Sequence, residues 1–333
     1  MHLQVARLKK TPLIFFLWLI TACGGDDGVD PSKLTAGNPA EVYGAEDIRA
    51  KGSLSENLPG EYINFGITPW DEPEKLRTMY APFIAYLGEQ MKLKIRFMVA
   101  QEYQELLNDL KRGIVHIAAF SPGSYADALD AGIEGYAEYV ASTQNDGNSY
   151  YRGVIIAGKQ YKDLASLKNQ PFAFVEKGSS SGYKFPLALF LQRNIDPYRY
   201  FSHVYYLGSH ANVVESVATG KVAAGATWDG YLEQQMGKKP EKVNIILKTD
   251  QIPYDAIVVS RKKGAAFARQ FRNELLRINK TSKTKDGRLV LAKDLGFPYS
   301  GYVVHSPAIY SVVRQTGQLI KGYKPPAESN VKR

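Results

Sequence analysis

From Tyr62 onward the chain repeats one pattern: a short β-branched or aromatic run, a loop of small and polar residues, then an amphipathic segment at helical spacing. Strands that alternate with helices build α/β layers. The first unit is the strand Ile63-Asn64-Phe65-Gly66-Ile67, the loop from Thr68 to Pro73, and a helix over 74–91 with Leu76, Tyr80, Phe83, Ile84 and Leu87 inward. The second predicts a strand over 93–100 and a helix over 102–112 stopped by Gly113. In the third, a strand over 115–120 meets Ser121-Pro122, a helix cap followed by proline at the first helical position.

A second set of units begins near Arg152. It predicts strands over 153–157, 172–175, 204–207, 223–227 and 256–260, with helices over 164–168, 183–193 and 210–219 between them, and phenylalanine- and leucine-rich helices over 267–278 ending the body. Two sets of βα units joined near residues 150 and 250 predict two lobes, each a mixed sheet flanked by helices. The cleft between them is a preferred place for a small ligand.

The N-terminus sets the expected compartment. Residues 1–10 carry Arg7, Lys9 and Lys10 and no acid, and the apolar run over 13–20 is short of the ~20 residues a membrane span needs. Residues 1–22 therefore read as a signal peptide. The run ends in Ile20-Thr21-Ala22-Cys23-Gly24, which matches the bacterial lipobox, and Cys23 is the only cysteine of the chain. Cys23 is expected to be lipidated, with residues 23–58 as a polar tether to the membrane. No disulfide within the chain is then available, and roughly 270 residues remain to bury a core. The formal charge of +9 falls to +6 once the leader is removed, and its basic residues are scattered without interleaved aromatics, which argues against nucleic acid. None of the five histidines has metal-ligand spacing, and no cofactor is expected.

The residues that carry chemistry cluster at helix starts. Gly178-Ser179-Ser180-Ser181-Gly182 follows a predicted strand and precedes an apolar helix. Free backbone N–H groups, the positive end of the helix dipole and three hydroxyls would there point at one oxyanion. Gly208-Ser209-His210 repeats the arrangement with an imidazole. Asp229 and Asp255 each follow an apolar segment at an expected cleft edge, and a carboxylate beside an anion makes sense where the ligand keeps an acidic proton. Tyr103, Tyr150 and Tyr151 sit at element starts on the same side, where a phenol can donate to an oxyanion. A hydrolase reading stays open beside this one. Gly178-x-Ser180-x-Gly182 matches the letters of a nucleophile elbow, and His210 and Asp255 would complete a triad, although in the chain order Ser, His, Asp.

These residues resemble the phosphate/phosphite/phosphonate-binding proteins of ABC importers, over roughly 62–317. The resemblance rests on Tyr151-Arg152-Gly153-Val154-Ile155-Ile156, Ser179-Ser180-Ser181-Gly182 with Pro186 following, Gly208-Ser209-His210, Gly225-Ala226-Thr227-Trp228-Asp229 and Ile252-Pro253-Tyr254-Asp255. It implies a type II periplasmic binding fold with residues 59–150 plus 256–320 in one lobe, 151–255 in the other, a C-terminal tail over 321–333, and hinges near Tyr150 and Tyr254. It implies ligand contacts from Tyr103, Tyr151, Ser179, Ser180, Ser181, His210, Asp229 and Asp255, with serine at 180 where threonine is usual and aspartate at 229 where some members carry glutamate. The expected protein is a monomeric lipoprotein of the periplasm or cell surface that catalyses nothing. It would hand a small phosphorus oxyanion to a membrane permease and its ATPase, or, in the other readings, report to a membrane sensor or act as a lipid-anchored serine esterase.

Overall fold

The computed structural model describes residues 40–42, 62–236, 242–324 and 331–332; the leader, Cys23 and most of the expected tether lie outside the described residues. Two sheets organise the rest. The first contains β1 (Ala40–Val42), β2 (Tyr62–Ile67), β3 (Lys94–Val99), β4 (Ile117–Phe120), β5 (Ala137–Gln144), β11 (Ala256–Ser260) and β12 (Gly301–Val303), in the order β1-β3-β2-β4-β11-β5-β12. The second contains β6 (Tyr150–Gly158), β7 (Phe172–Phe174), β8 (Val204–Tyr206), β9 (Ala224–Trp228), β10 (Val243–Pro253) and β13 (Val331–Lys332), in the order β10-β6-β9-β7-β8-β13. Both are mixed: β1, β3, β2 and β4 run parallel while β11, β5 and β12 run antiparallel to their neighbours, and β7 is parallel to β8 and β9 while β6 is antiparallel to β9 and β10. The short β1 falls inside the stretch read as a tether, where it pairs with the free edge of β3.

The βα alternation produces the helices the sequence predicts. α1 (Pro73–Met91) starts with proline at its first position, turns Leu76, Tyr80, Phe83, Ile84 and Leu87 inward and ends at Lys92 in the left-handed conformation. Each large side chain so buried contributes roughly 1.5–3 kcal/mol. Phe83 meets Phe65 edge-on and Tyr80 stacks on Phe97 of β3, which fixes α1 against the sheet. α2 (Glu105–Arg112) and α3 (Pro122–Asp130) follow β3 and β4. On the second sheet, α4 (Phe185–Gln192) and α5 (Pro197–Tyr200) pack in a core with Phe172, Phe174, Phe190 and Phe201, while α6 (His210–Ala218) and α7 (Asp229–Met236) bury Val213, Val217, Tyr231 and Leu232 in a second cluster with Ala173 and Val175. α8 (Gly264–Arg277) returns to the first sheet. α9 (Ser311–Lys321), which the sequence reading placed in one lobe without recognising it as a helix, packs on α3 of the first lobe and on α4 of the second. The predicted helix over 164–168 is only a 3-10 turn at Ala165–Leu167.

Strand direction decides where ligand chemistry can sit. In the first lobe Ile67 lies opposite Val99 on one side and Ala119 on the other, so three parallel strands finish level. The loops beyond their C-terminal ends carry Thr68, Trp70, Tyr103 and Ser121. In the second lobe β7 and β8 lead likewise to the serine turn and His210. Ligands of open α/β sheets bind beyond the carboxyl ends of the strands, and both sets of loops meet in one cleft.

Candidate ligand-binding site

The cleft encloses a cavity of about 40 Å³, lined from the first lobe by Thr68, Trp70, Tyr103, Ser121, Asp255 and Tyr299, and from the second by Tyr151, Ser179, Ser180, Ser181, His210 and Trp228, with Tyr254 at the crossover. One ordered water needs about 10–15 Å³ on the same measure. The space suits a group of a few heavy atoms.

The serine turn is a single π-helical turn, Ser180–Lys184, leading into α4. Proline explains it. Pro186 has no N–H to give to the carbonyl four residues back, and its ring crowds that carbonyl. Widening the turn relieves both, with the Lys184 N–H donating to the Ser179 carbonyl five residues back at 3.0 Å, while the freed Gly182 carbonyl accepts from the Val175 N–H at 3.1 Å. Ser179 caps the turn, its Oγ accepting from the Gly182 N–H at 3.1 Å. Ser180 Oγ accepts from the Gly123 N–H of the first lobe at 2.6 Å. Since both oxygens are already accepting, the hydroxyl protons of Ser179 and Ser180 are left to donate.

Burial pushes the phenols of Tyr103 and Tyr151 well above their ordinary range. The Glu176 carboxylate adds to the shift at Tyr103 and the Asp255 carboxylate at Tyr151, while hydrogen bonds with Ser179 and Ser181 respectively oppose it. Both phenols are therefore neutral donors at any physiological pH. His210 is the first residue of α6, capped by Ser209, and its Nδ1 lies 3.1 Å from Thr227 Oγ1. Burial pushes its pKa down to about 3, so the imidazole is neutral. Asp255 accepts from the Tyr299 O–H at 2.7 Å, and its pKa is pushed up to about 7 by burial, against the pull of that hydrogen bond. Among the described residues, no lysine or arginine lines the cavity. Its walls offer hydroxyl, phenol and imidazole dipoles and one carboxyl group that holds a proton near neutral pH.

Seven of the eight residues named from sequence line this cavity; Asp229 does not. Its carboxylate accepts from the Arg152 N–H at 3.2 Å through either oxygen and from the Gly230 N–H at 2.9 Å. The preceding Trp228 lines the cavity in its place, lying over Gly230 so closely that a Cβ there would come within 2.1 Å of the ring. Tyr150 is 41% exposed and also stands outside. Sequence reasoning missed Thr68, Trp70, Ser121, Trp228, Tyr254 and Tyr299 as lining residues. Ser121 had a signal, its N-cap position. Tyr299, far along the chain from the cleft motifs, had none. Trp228 meets Tyr151 edge-on at 5.5 Å, Tyr151 stacks on Tyr254 at 5.1 Å, and Tyr254 meets Tyr299 edge-on at 5.8 Å, an aromatic wall that keeps water from the donors.

Ser180, His210 and Asp255 reach the same cavity, but their hydrogen bonds go to Gly123, Thr227 and Tyr299 and not along a Ser-His-Asp relay. Two lobes closing over a small donor-lined cavity define a solute-binding protein. Residues 65–308 match the family model of ABC transporter, phosphonate, periplasmic substrate-binding proteins, and the chain belongs to that family. It is 23% identical over 218 residues to the phosphate-import protein PhnD of Mycolicibacterium smegmatis, covering 61% of this chain and 67% of that one. It superposes with a TM-score of 0.69 on a binding protein component of an ABC phosphonate transporter from Pseudomonas aeruginosa, 23% identical, over 79% of this chain and 87% of that one. It does so equally, at 0.69 and 17% identity, on PhnD1 of Prochlorococcus marinus in complex with methylphosphonate, over 78% and 98%. The fold is that of the type II periplasmic binding proteins, and the family's place is outside the cytoplasm beside a permease and an ATPase.

Proposed function

We propose that this protein is the solute-binding lipoprotein of an ABC importer and that it closes on a small phosphorus oxyanion: phosphate, phosphite or a short phosphonate. The observation that carries the reading is the donor set. Ser179, Ser180, Ser181, Tyr103 and Tyr151 surround a cavity of oxyanion size with no cationic side chain among the described residues of its wall, and Asp255 there holds a proton near pH 7. An ionised carboxylate accepts from a P–OH and repels a ligand that has lost every proton. The relatives support this chemistry, one being a phosphate-import protein and another being bound to methylphosphonate.

The lobes hinge between β5 and β6 and between β10 and β11, near Tyr150 and Tyr254, and the permease reads their closure. Cys23 carries the lipid, the polar stretch that follows it up to β1 tethers the body to the membrane, and the protein acts as a monomer that catalyses nothing. A thermal-shift panel tests the binding claim. A ligand that binds only the folded state stabilises it by about 2.7 kcal/mol at 100 times its dissociation constant, which for a chain of this size raises Tm by roughly 5 °C or more. Phosphate, phosphite or methylphosphonate is expected to give that rise, whereas stabilisation by an amino acid or a sugar alone contradicts the reading.

A further inference from the structure

The back of the serine turn, facing away from the cavity, is locked to the first lobe by residues that touch no ligand. Gly123 is the second residue of α3, so its N–H is one of the four that a helix start leaves without an intrahelical partner. It donates across the cleft to Ser180 Oγ at 2.6 Å. Four residues beyond Ser180, the buried Lys184 donates through Nζ to the Gly123 carbonyl at 3.1 Å and to both carboxylate oxygens of Asp127 at 2.6 Å. The fit is close. A Cβ on Gly123 would lie 2.7 Å from the Gly178 carbonyl oxygen and 2.9 Å from Ser180 Oγ. A Cβ on Gly178 would lie 2.5 Å from Tyr103 Cβ of the first lobe. Gly123, Asp127 and Lys184 are absent from the cavity wall.

We infer that Gly123, Asp127 and Lys184 form a closure key, a set of positioning residues that fixes oxyanion affinity by engaging the serine turn only when the lobes are shut. Two links join the key to the ligand. Ser180 is held from behind by the Gly123 N–H, which leaves its proton directed at the cavity, and a hydroxyl that accepts one hydrogen bond donates a stronger second. Lys184 and Ser180 also share one turn, so the ion pair to Asp127 cannot form without seating the three serines. When the lobes part, the Gly123 N–H, Ser180 Oγ and the Lys184 ammonium all exchange these partners for water. Removing Asp127 leaves a buried ammonium in the closed form alone, which shifts the population towards the open form.

The inference rests on the oxyanion reading, and the test separates the two. Titration of inorganic phosphate into wild type is compared with Gly123→Ala, Asp127→Asn, Lys184→Met and the Asp127→Asn/Lys184→Met pair. Exchange of the residue-123 amide is followed by NMR in the same proteins. Alanine is the better helix former, so Gly123→Ala is expected to keep or raise the ligand-free Tm while binding phosphate at least tenfold more weakly. Asp127→Asn is expected to weaken binding about tenfold and to speed Gly123 amide exchange, and the double variant to be no worse than Asp127→Asn alone, because coupled partners do not add. Wild-type affinity in Gly123→Ala, or losses that add in the double variant, overturns the key. If wild type binds neither phosphate, phosphite nor methylphosphonate, the oxyanion reading fails and amide exchange decides the key alone. Faster exchange in Asp127→Asn than in wild type then supports it, and equal exchange overturns it.

Discussion

Asp255→Asn is expected to raise the melting temperature of the ligand-free protein above pH 7 and to flatten the pH dependence of oxyanion binding. Burial lifts the Asp255 pKa from 3.8 to about 7. Between those values the folded protein keeps a proton that the unfolded chain has released. The stability associated with this group is therefore fully present below about pH 4, is lost as pH rises towards 7, and changes no further above it. At 1.36 kcal/mol per pH unit the loss is about 4 kcal/mol. Asparagine carries no charge at any pH and still accepts from the Tyr299 O–H, so denaturant melts of the variant should show no such slope, and an unchanged slope contradicts the assignment.

Binding follows the same logic. Phosphate has its second ionisation near neutrality, so above pH 7 free phosphate is a dianion with one P–OH left and free Asp255 is ionised; bringing these like charges together in the buried cavity favours uptake of one further proton. Wild-type affinity should then fall towards tenfold per pH unit, and the amide should remove that dependence, with weaker binding at low pH where the acidic partner is lost. Ser180→Ala should behave differently. It loses a hydrogen bond to a charged group, roughly 1.5–3 kcal/mol or 10- to 150-fold in affinity, and keeps the pH profile of wild type.

Gly182→Ala is expected to cost both stability and binding. The added Cβ would stand 2.4 Å from Val175 Cγ2, 2.5 Å from Val175 Cβ and 2.9 Å from Ser179 Oγ. Val175 is fully buried at the end of β7 and cannot retreat. Overpacking of this kind costs about 1–3 kcal/mol. The turn must move instead, stretching the Val175 N–H to Gly182 carbonyl bond and the Gly182 N–H to Ser179 Oγ bond that hold the serines in place. Displacing two hydroxyls from a charged ligand, at ~1.5 kcal/mol or more each, weakens binding more than a hundredfold. Calorimetry and a thermal melt check both; wild-type values in either contradict this account of the turn.

The parts of the fold legible in the sequence were those whose local chemistry agrees with their tertiary role. The strand at Ala256–Ser260 is a run of small and β-branched residues, and α3 begins at Ser121-Pro122, whose capping bond forms as the residue types require. β5 was not legible, because Ala-Glu-Tyr-Val-Ala-Ser-Thr-Gln has no clean alternation, its polar Ser142 and Thr143 being buried through hydrogen bonds to Tyr310 and Asp255 that the sequence cannot display. β10 spans eleven residues although only Ile245-Ile246-Leu247 within it form an apolar run: Lys248 pairs with Val154, while Thr249 and Asp250 fall in a register shift where Thr249 Oγ1 accepts from the Gly153 N–H.

The site divides the same way. Helix-start chemistry revealed the serine turn and His210. The misplacement of Asp229 has a geometric cause: neighbouring residues at a strand end point to opposite sides, so when Trp228 faces the cavity Asp229 faces the backbone of β6. Trp70 and Tyr299 lie in loops of the first sheet that are far apart along the chain and meet only at the cavity, a non-local fact with no local trace.

The central claim is that this cavity selects an oxyanion that can still carry a proton. Calorimetric titration of phosphate and sulfate at pH 6 and pH 8, each in two buffers of different ionisation enthalpy, tests it most directly, because sulfate has the same shape and no proton to share. The account predicts that phosphate binds more tightly at pH 6 than at pH 8, with net proton uptake at pH 8, and that sulfate, which brings no proton of its own, binds more weakly than phosphate, most of all at pH 8 where Asp255 has released its proton. Equal affinity for sulfate and phosphate, or phosphate binding without proton uptake at pH 8, would contradict it.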